Sequence, residues 1–330
     1  MSVAYELRGM LGAGTAITVI GEGDLFSFTP SNPWVAVGWR TAKQIQIPVA
    51  TRLEKKRIAF DPVGAERVEP GRNRVWLRDG RSIDYDYLVI ATGPRLAFDD
   101  VPGLGPDGGF TQSICTTPHA TAAWEVYQEF LQDPGPLIVG AAAGASCFGP
   151  AYEFAMIVDR DLRKRKLRDR VPIIYVTPEP YVGHMGLGGV GDSKGLMESE
   201  FRKRHIQWIV NAKIGAVRAG EMEVLEMNED GEIRRNHVLP FRYSMVLPAF
   251  AGVDAVRQVE GLCNPRGFVL IDKHQRNSAW PNIYALGVCV AIPPVEQTPV
   301  PTGAPKTGFM IESMVTAVAR NIQGDIAGER

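Results

Sequence analysis

The residues able to do chemistry in this chain are a few cysteines and histidines set among glycine-rich turns. Cys147 stands in LIVGAAAGASCFGP, residues 137–150, where an apolar run passes into helical spacing. A helix N-terminus stabilises a thiolate and lowers its pKa, so this placement predicts a nucleophilic, redox-active cysteine rather than an inert buried one. Cys115, Cys147, Cys263 and Cys289 show no C-x-x-C spacing, so no zinc or other metal is expected. Four cysteines in 330 residues are also too few for a disulfide framework.

Other turns point to a dinucleotide. Tyr85 to Pro94, YDYLVIATGP, reads as a buried strand ending in Ala91-Thr92-Gly93. Glycine there lets backbone approach a ligand that a side chain would exclude. The pattern matches the second dinucleotide motif of two-domain flavoprotein reductases, beside the pyrophosphate and adenine; an ordinary sheet strand with a glycine turn is the plainer alternative. ITVI followed by Gly21-Glu22-Gly23-Asp24 puts Glu22 where an acidic residue receives ribose hydroxyls, or else as a loop charge. No G-x-G-x-x-G turn precedes it, because a helix opens the chain. Gly140, Ala142 and Gly144 give only a degenerate second fingerprint, which argues against a tightly held NAD.

The elements that must position these residues follow from periodicity. Ser2–Gly12 has helical spacing, and 17–20, 57–60, 74–77 and 85–91 read as strands. Helices are expected over 117–131 and 144–166, strands over 137–140, 172–176, 245–248, 268–271 and 283–286, and a helix over 307–322. Strands alternating with helices imply a parallel sheet covered on both faces. The net charge of -1 removes the electrostatic case for nucleic acid, and LRKRKLRDR, residues 162–170, reads as a solvated helix end. Neither a secretory signal nor a transmembrane stretch is legible.

Several segments together resemble the sulfide:quinone oxidoreductase family, a relation of the flavoprotein subunit of flavocytochrome c sulfide dehydrogenases. They are FTPSNPWVAVGW, YDYLVIATGP, SICT, GASCFGPAYE, EPYVGHMGLGGVGDSKG, GLCNPRGFVLIDKHQR and PVPTGAPKTGFMIESM. The resemblance implies an α/β fold of two Rossmann-like FAD/NAD(P)-binding domains of the disulfide-reductase type. The FAD domain is expected over 1–110 and 250–330, and the second domain, carrying the redox cysteine, over 111–249. It implies that sulfide is taken up at a cysteine pair, sulfur grows on a cysteine, and two electrons pass through FAD to quinone. Cys147 matches one member of that pair, Cys115 an assisting cysteine, and His119 and His184 proton-transfer groups. Pro30, Ser31, Asn32, Thr92, Gly93, Gly287, Lys306, Thr307 and Gly308 fall in FAD-lining segments, with Lys306 as positive charge near the reduced flavin. Cys263 and Cys289 read as structural. Against the family pattern, the first strand, the second pair cysteine and the C-terminal membrane segment are expected to be missing. The resemblance further implies a peripheral place on the cytoplasmic membrane and allows a homo-oligomer. A flavin-dependent NADH:quinone reductase and a non-catalytic family core with weak or no FAD stay open as alternatives.

Overall fold

The computed structural model describes residues 1–329. Its first unit rests on two parallel strand pairs, Thr18–Ile20 with Ala59–Asp61 and Leu88–Ile90 with Ile283–Ala285. The opening helix, Ser2–Leu11, buries Val3, Ala4 and Leu7, the i, i+1, i+4 face its sequence presents. Val3 and Leu7 join Ile90, Tyr284, Leu286 and the inner face of the closing helix, Gly308–Ala327, in one apolar core. That closing helix begins where Thr307 accepts the Met310 N–H on its hydroxyl and ends at Gly328 in the left-handed region.

The second unit is a four-stranded parallel sheet in the order Ile206–Ile209, Ile173–Val176, Leu137–Ala141, Tyr243–Leu247. Leu137–Ala141 and Tyr243–Leu247 are buried at every residue, as strands covered on both faces must be. Helices Thr117–Gln132 and Gly149–Lys164 share their core, where Tyr127, Phe130, Phe154 and Tyr243 meet ring against ring. Three-stranded antiparallel sheets, residues 65–84 and 212–240, flank the two units.

Three expectations need correction. The helix expected from residue 144 begins at Gly149, because Gly144 takes a left-handed φ of 77° that no α-helix continues. Residues 268–271 form no strand; Val269 makes only single bridges to Cys263 and Val290. The basic run is a solvated helix end as far as Lys166, but Arg168 departs from that reading. The helix stops at Lys164, and Arg168 turns inward to Asp159 (2.7 Å) and to the carbonyls of Val171, Arg204 and His205. Among the described residues no helix is long and apolar enough to cross a membrane.

Candidate functional site

The pair Leu88–Ile90 and Ile283–Ala285 brings two strand ends side by side, with the Leu286 N–H donating to the Ile90 carbonyl at 3.1 Å. Ligands of open parallel sheets collect beyond such carboxyl ends. Ala91, Thr92 and Gly93 leave one strand, and Gly287–Cys289 leaves the other as a single 3-10 turn. Gly93 and Gly287 have φ of 70° and 80°, values a side chain resists. Lys306 enters from the segment before the closing helix: its Nζ donates to the Val288 carbonyl at 3.0 Å and lies 4.0 Å from the Phe268 ring centre. Burial lowers its pKa from the ordinary lysine value to about 8, against the pull of nearby Cys289. Gly308 then opens a 20-residue helix whose N-terminal partial charge adds to the same edge.

This donor set suits FAD. Pyrophosphate and ring oxygens are anionic or become so on reduction, and a buried amine with a helix N-terminus answers them. Thr92 and Gly93 are turned to open space: a Cβ on Gly93 would meet nothing within 4 Å. Cys289 is buried, donates to the Ile90 and Leu286 carbonyls, and has its thiol pushed up by burial, so it serves as packing. Glu22 follows Thr18–Ile20 as anticipated, and its carboxylate is paired with Arg78, a partner the sequence did not announce.

Asn32 lies inside the protein. Its side chain is fully buried, donating to the Ile114 carbonyl at 3.0 Å and accepting from the Thr117 hydroxyl at 3.1 Å. Those bonds brace the turn that carries Cys115 and engage the amide oxygen and one of its N–H groups. Ser31 is also buried and accepts from Arg40 at 3.0 Å, while Pro30 is exposed.

The Cys147 turn is gripped by the proline-rich segment. Gly144 donates its N–H to the Pro301 carbonyl (2.6 Å), and Gly303 donates to the Ala145 carbonyl (2.8 Å). A Cβ on Gly303 would sit 2.7 Å from that of Ser146, so only glycine lets the two backbones approach. The 183–189 loop closes over both, since a side chain on Gly186 would overlap the Gly303 carbonyl and press on Phe148. Gly140 has a packing role: any Cβ there would overlap the Val176 carbonyl of the neighbouring strand.

Helix-dipole activation of Cys147 is not what the geometry delivers. The thiol lies before the helix rather than in its first turn, and burial pushes it up, not down. Cys115 is pushed up to about 12, by burial first, with the Cys147 charge adding and a Ser113 hydrogen bond opposing. A dry thiol resists ionisation unless a positive partner offsets the lost hydration.

The two histidines are differently placed. His119 sits in the first turn of Thr117–Gln132, with Nε2 3.6 Å from Asp107 and its ring against Phe98. Its Nδ1 is buried and has no hydrogen-bond partner among the described residues. His184 is fully buried, and both ring nitrogens are engaged, Nδ1 by the Gly186 N–H (3.1 Å) and Nε2 by Glu296 (2.6 Å). Glu179 lies beneath it and accepts from Thr177, Tyr152 and the Met185 N–H, with its carboxyl raised by burial. Neither glutamate was foreseen: Glu296 is 112 residues from its partner, in a stretch whose only visible signal was proline.

Residues 1–319 match the family described as pyridine nucleotide-disulphide oxidoreductase. A sulfide-quinone reductase of Aquifex aeolicus (strain VF5) is 41% identical over 99% of this chain and 74% of its own length. The X-ray structure of the sulfide:quinone oxidoreductase from the hyperthermophilic bacterium Aquifex aeolicus superposes with a TM-score of 0.94, over 99% of this chain and 75% of that one. A mitochondrial sulfide:quinone oxidoreductase of Mus musculus is 24% identical over 89% of this chain and 64% of its own length.

Proposed function

The chain belongs to the pyridine nucleotide-disulphide oxidoreductase family and, within it, to the sulfide:quinone oxidoreductases, and from that premise we propose that it uses FAD to oxidise sulfide to cysteine-bound sulfur, with quinone as electron acceptor. The observation that carries the reading is the 301–308 segment. One end is hydrogen-bonded to the Cys147 turn, and the other supplies Lys306, Thr307 and Gly308 to the cofactor edge. A thiol that must exchange electrons with a cofactor has to be held against it, and one short stretch of chain does so here.

FAD, when bound, supplies two-electron acceptance from sulfur and release to quinone. The chain's own residues do the rest. Ala91, Thr92, Gly93, Gly287, Thr307 and Gly308 offer backbone and hydroxyl groups, Lys306 offers charge, and Glu22 with Pro30 and Ser31 completes the pocket. Asn32 holds the Cys115 turn. Cys147 takes up sulfide sulfur, Cys115 assists, and His119 and His184 serve proton transfer. The division into a cofactor unit, 1–110 with 250–330, and a thiol unit, 111–249, is supported by the two separate parallel sheet systems. Quinone dissolves in membrane, so the reading places the protein at the surface of the cytoplasmic membrane and is compatible with a homo-oligomer.

A flavin-dependent NADH:quinone reductase would need free donors in the turn after Leu137–Ala141. Here the Gly144 N–H is already given to Pro301 and Gly140 is packed on Val176. Anaerobic addition of sulfide to the FAD-loaded protein tests the choice by visible absorbance. Sulfide is expected to bleach the flavin bands and NADH to leave them intact. Cys147→Ser should keep the flavin content and lose the bleaching. Bleaching by NADH alone, or a Cys147→Ser protein that responds to sulfide like the native one, would overturn the assignment.

A further inference from the structure

His184 has no ring nitrogen to spare. Because Nδ1 receives the Gly186 N–H at 3.1 Å, it must present a lone pair, which leaves the ring proton on Nε2. That proton is directed at Glu296 Oε1, 2.6 Å away. The imidazole is 1% exposed and the Glu296 side chain 50%, so the carboxylate is the only part of the pair that meets solvent. The contact is built rather than incidental. A Cβ on Gly188 would stand 3.2 Å from Glu296 Oε1, and the Tyr181 ring packs edge-on against His184 with centres 5.2 Å apart. Tyr181 in turn donates its hydroxyl to the Gly188 carbonyl at 2.6 Å, fixing the loop that shapes the glutamate's seat.

The charged and titratable groups around the ring are few. On its own segment are Glu179, buried and hydrogen-bonded three ways, and the Tyr181 phenol. Lys194, from the helix Ser193–Lys203, lies over the Tyr181 ring at 5.0 Å. From the facing loop comes Glu296, and among the described residues its ion pair is with His184.

We propose that Glu296 is the positioning residue of His184: its carboxylate anchors the Nε2–H and, with the Gly186 N–H on Nδ1, holds the buried imidazole in one orientation beside the Cys147 turn during sulfide oxidation. The idea rests on the reading of Cys147 as the sulfide-accepting thiol, because the His184 loop packs on Phe148 and Gly303 beside that turn.

The test uses the FAD-loaded full chain and two readouts, the nitrogen-15 shifts of His184 and the rate of flavin bleaching by sulfide. The native protein is expected to show an unprotonated Nδ1 and a protonated Nε2. Glu296→Leu should shift the Nε2 part of that signature away from its carboxylate-bonded position and slow bleaching about tenfold or more, within the range of a positioned acid–base group. Glu296→Gln keeps an acceptor for Nε2–H and is expected to restore both the signature and most of the rate. An Nε2 resonance unmoved in Glu296→Leu overturns the proposal, as does a Glu296→Gln protein that recovers the signature but not the rate. Failure of the native protein to bleach at all would instead sink the Cys147 reading, and the nitrogen signature would still report on the pair.

Discussion

Lys306 carries the clearest conflict between burial and charge in the molecule. Its amine is buried against Phe268 and Val288, and its pKa falls to about 8. In the unfolded chain the lysine holds its proton to its ordinary value near 10.5, so between about pH 8 and 10.5 the unfolded state binds more protons. Stability of the flavin-free protein should therefore rise with pH through that window on this residue's account, the penalty being complete below pH 8. Lys306→Met is expected to remove the rise and to be more stable than the native chain at pH 7. Urea midpoints at pH 7, 9 and 10.5 check it, and equal midpoint differences at all three pH values would refute it. The same substitution should weaken FAD, since the cost of burying a charge is tolerated where an anion repays it. Cys147 shows the opposite balance. Burial wins over the helix terminus, which its sequence setting alone could not reveal because the helix starts five residues later than its periodicity suggests.

Elements are held by polar contacts that the sequence leaves anonymous. Arg168, beyond the end of helix Gly149–Lys164, ties Asp159 within that helix to the carbonyls of Arg204 and His205 just before strand Ile206–Ile209. Both side chains of the pair are at most 10% exposed. Arg168→Ala leaves Asp159 with Arg163 and a distant Arg204, and strands one buried and two part-buried carbonyls. Loss of one partner from a buried pair costs about 3–5 kcal/mol. Denaturant unfolding that follows the second sheet should show that loss, and a change below about 1 kcal/mol would mean the clamp is not structural. In the sequence this arginine belongs to a run of six basic residues among eight, 163–170, and charge patterning has no means of picking out the one that turns inward. The antiparallel sheet over 212–240 was missed for a related reason. Ile233–Pro240 alternates so weakly, with most residues exposed, that no period of two stands out.

At the scale of the whole molecule, the proposed function depends on the 301–308 segment gripping the Cys147 turn. Pro301 and Gly303 bond to Gly144 and Ala145, while Lys306, Thr307 and Gly308 attend the strand ends of the first unit. Gly303→Val would drive a branched side chain into Ser146 and separate the two backbones. Sulfide-dependent bleaching should fall about tenfold or more with FAD content retained, because misplacement by about 1 Å suffices for larger losses. Loss of flavin and activity together would show that the segment serves cofactor binding alone. The amino-acid sequence by itself determined the strand-helix alternation, the glycine turns at 91–93 and 287, and the family. Those are local or composite signals, carried by periodicity, by residues with special backbone freedom, and by motifs contiguous in the chain. Only the tertiary structure decided that Asn32 braces the Cys115 turn, that Pro301 occupies the donors of the second nucleotide turn, and that Glu296 holds His184. Each of these joins residues about 80 to 160 positions apart, and such pairings follow from how the sheets stack rather than from any spacing along the chain.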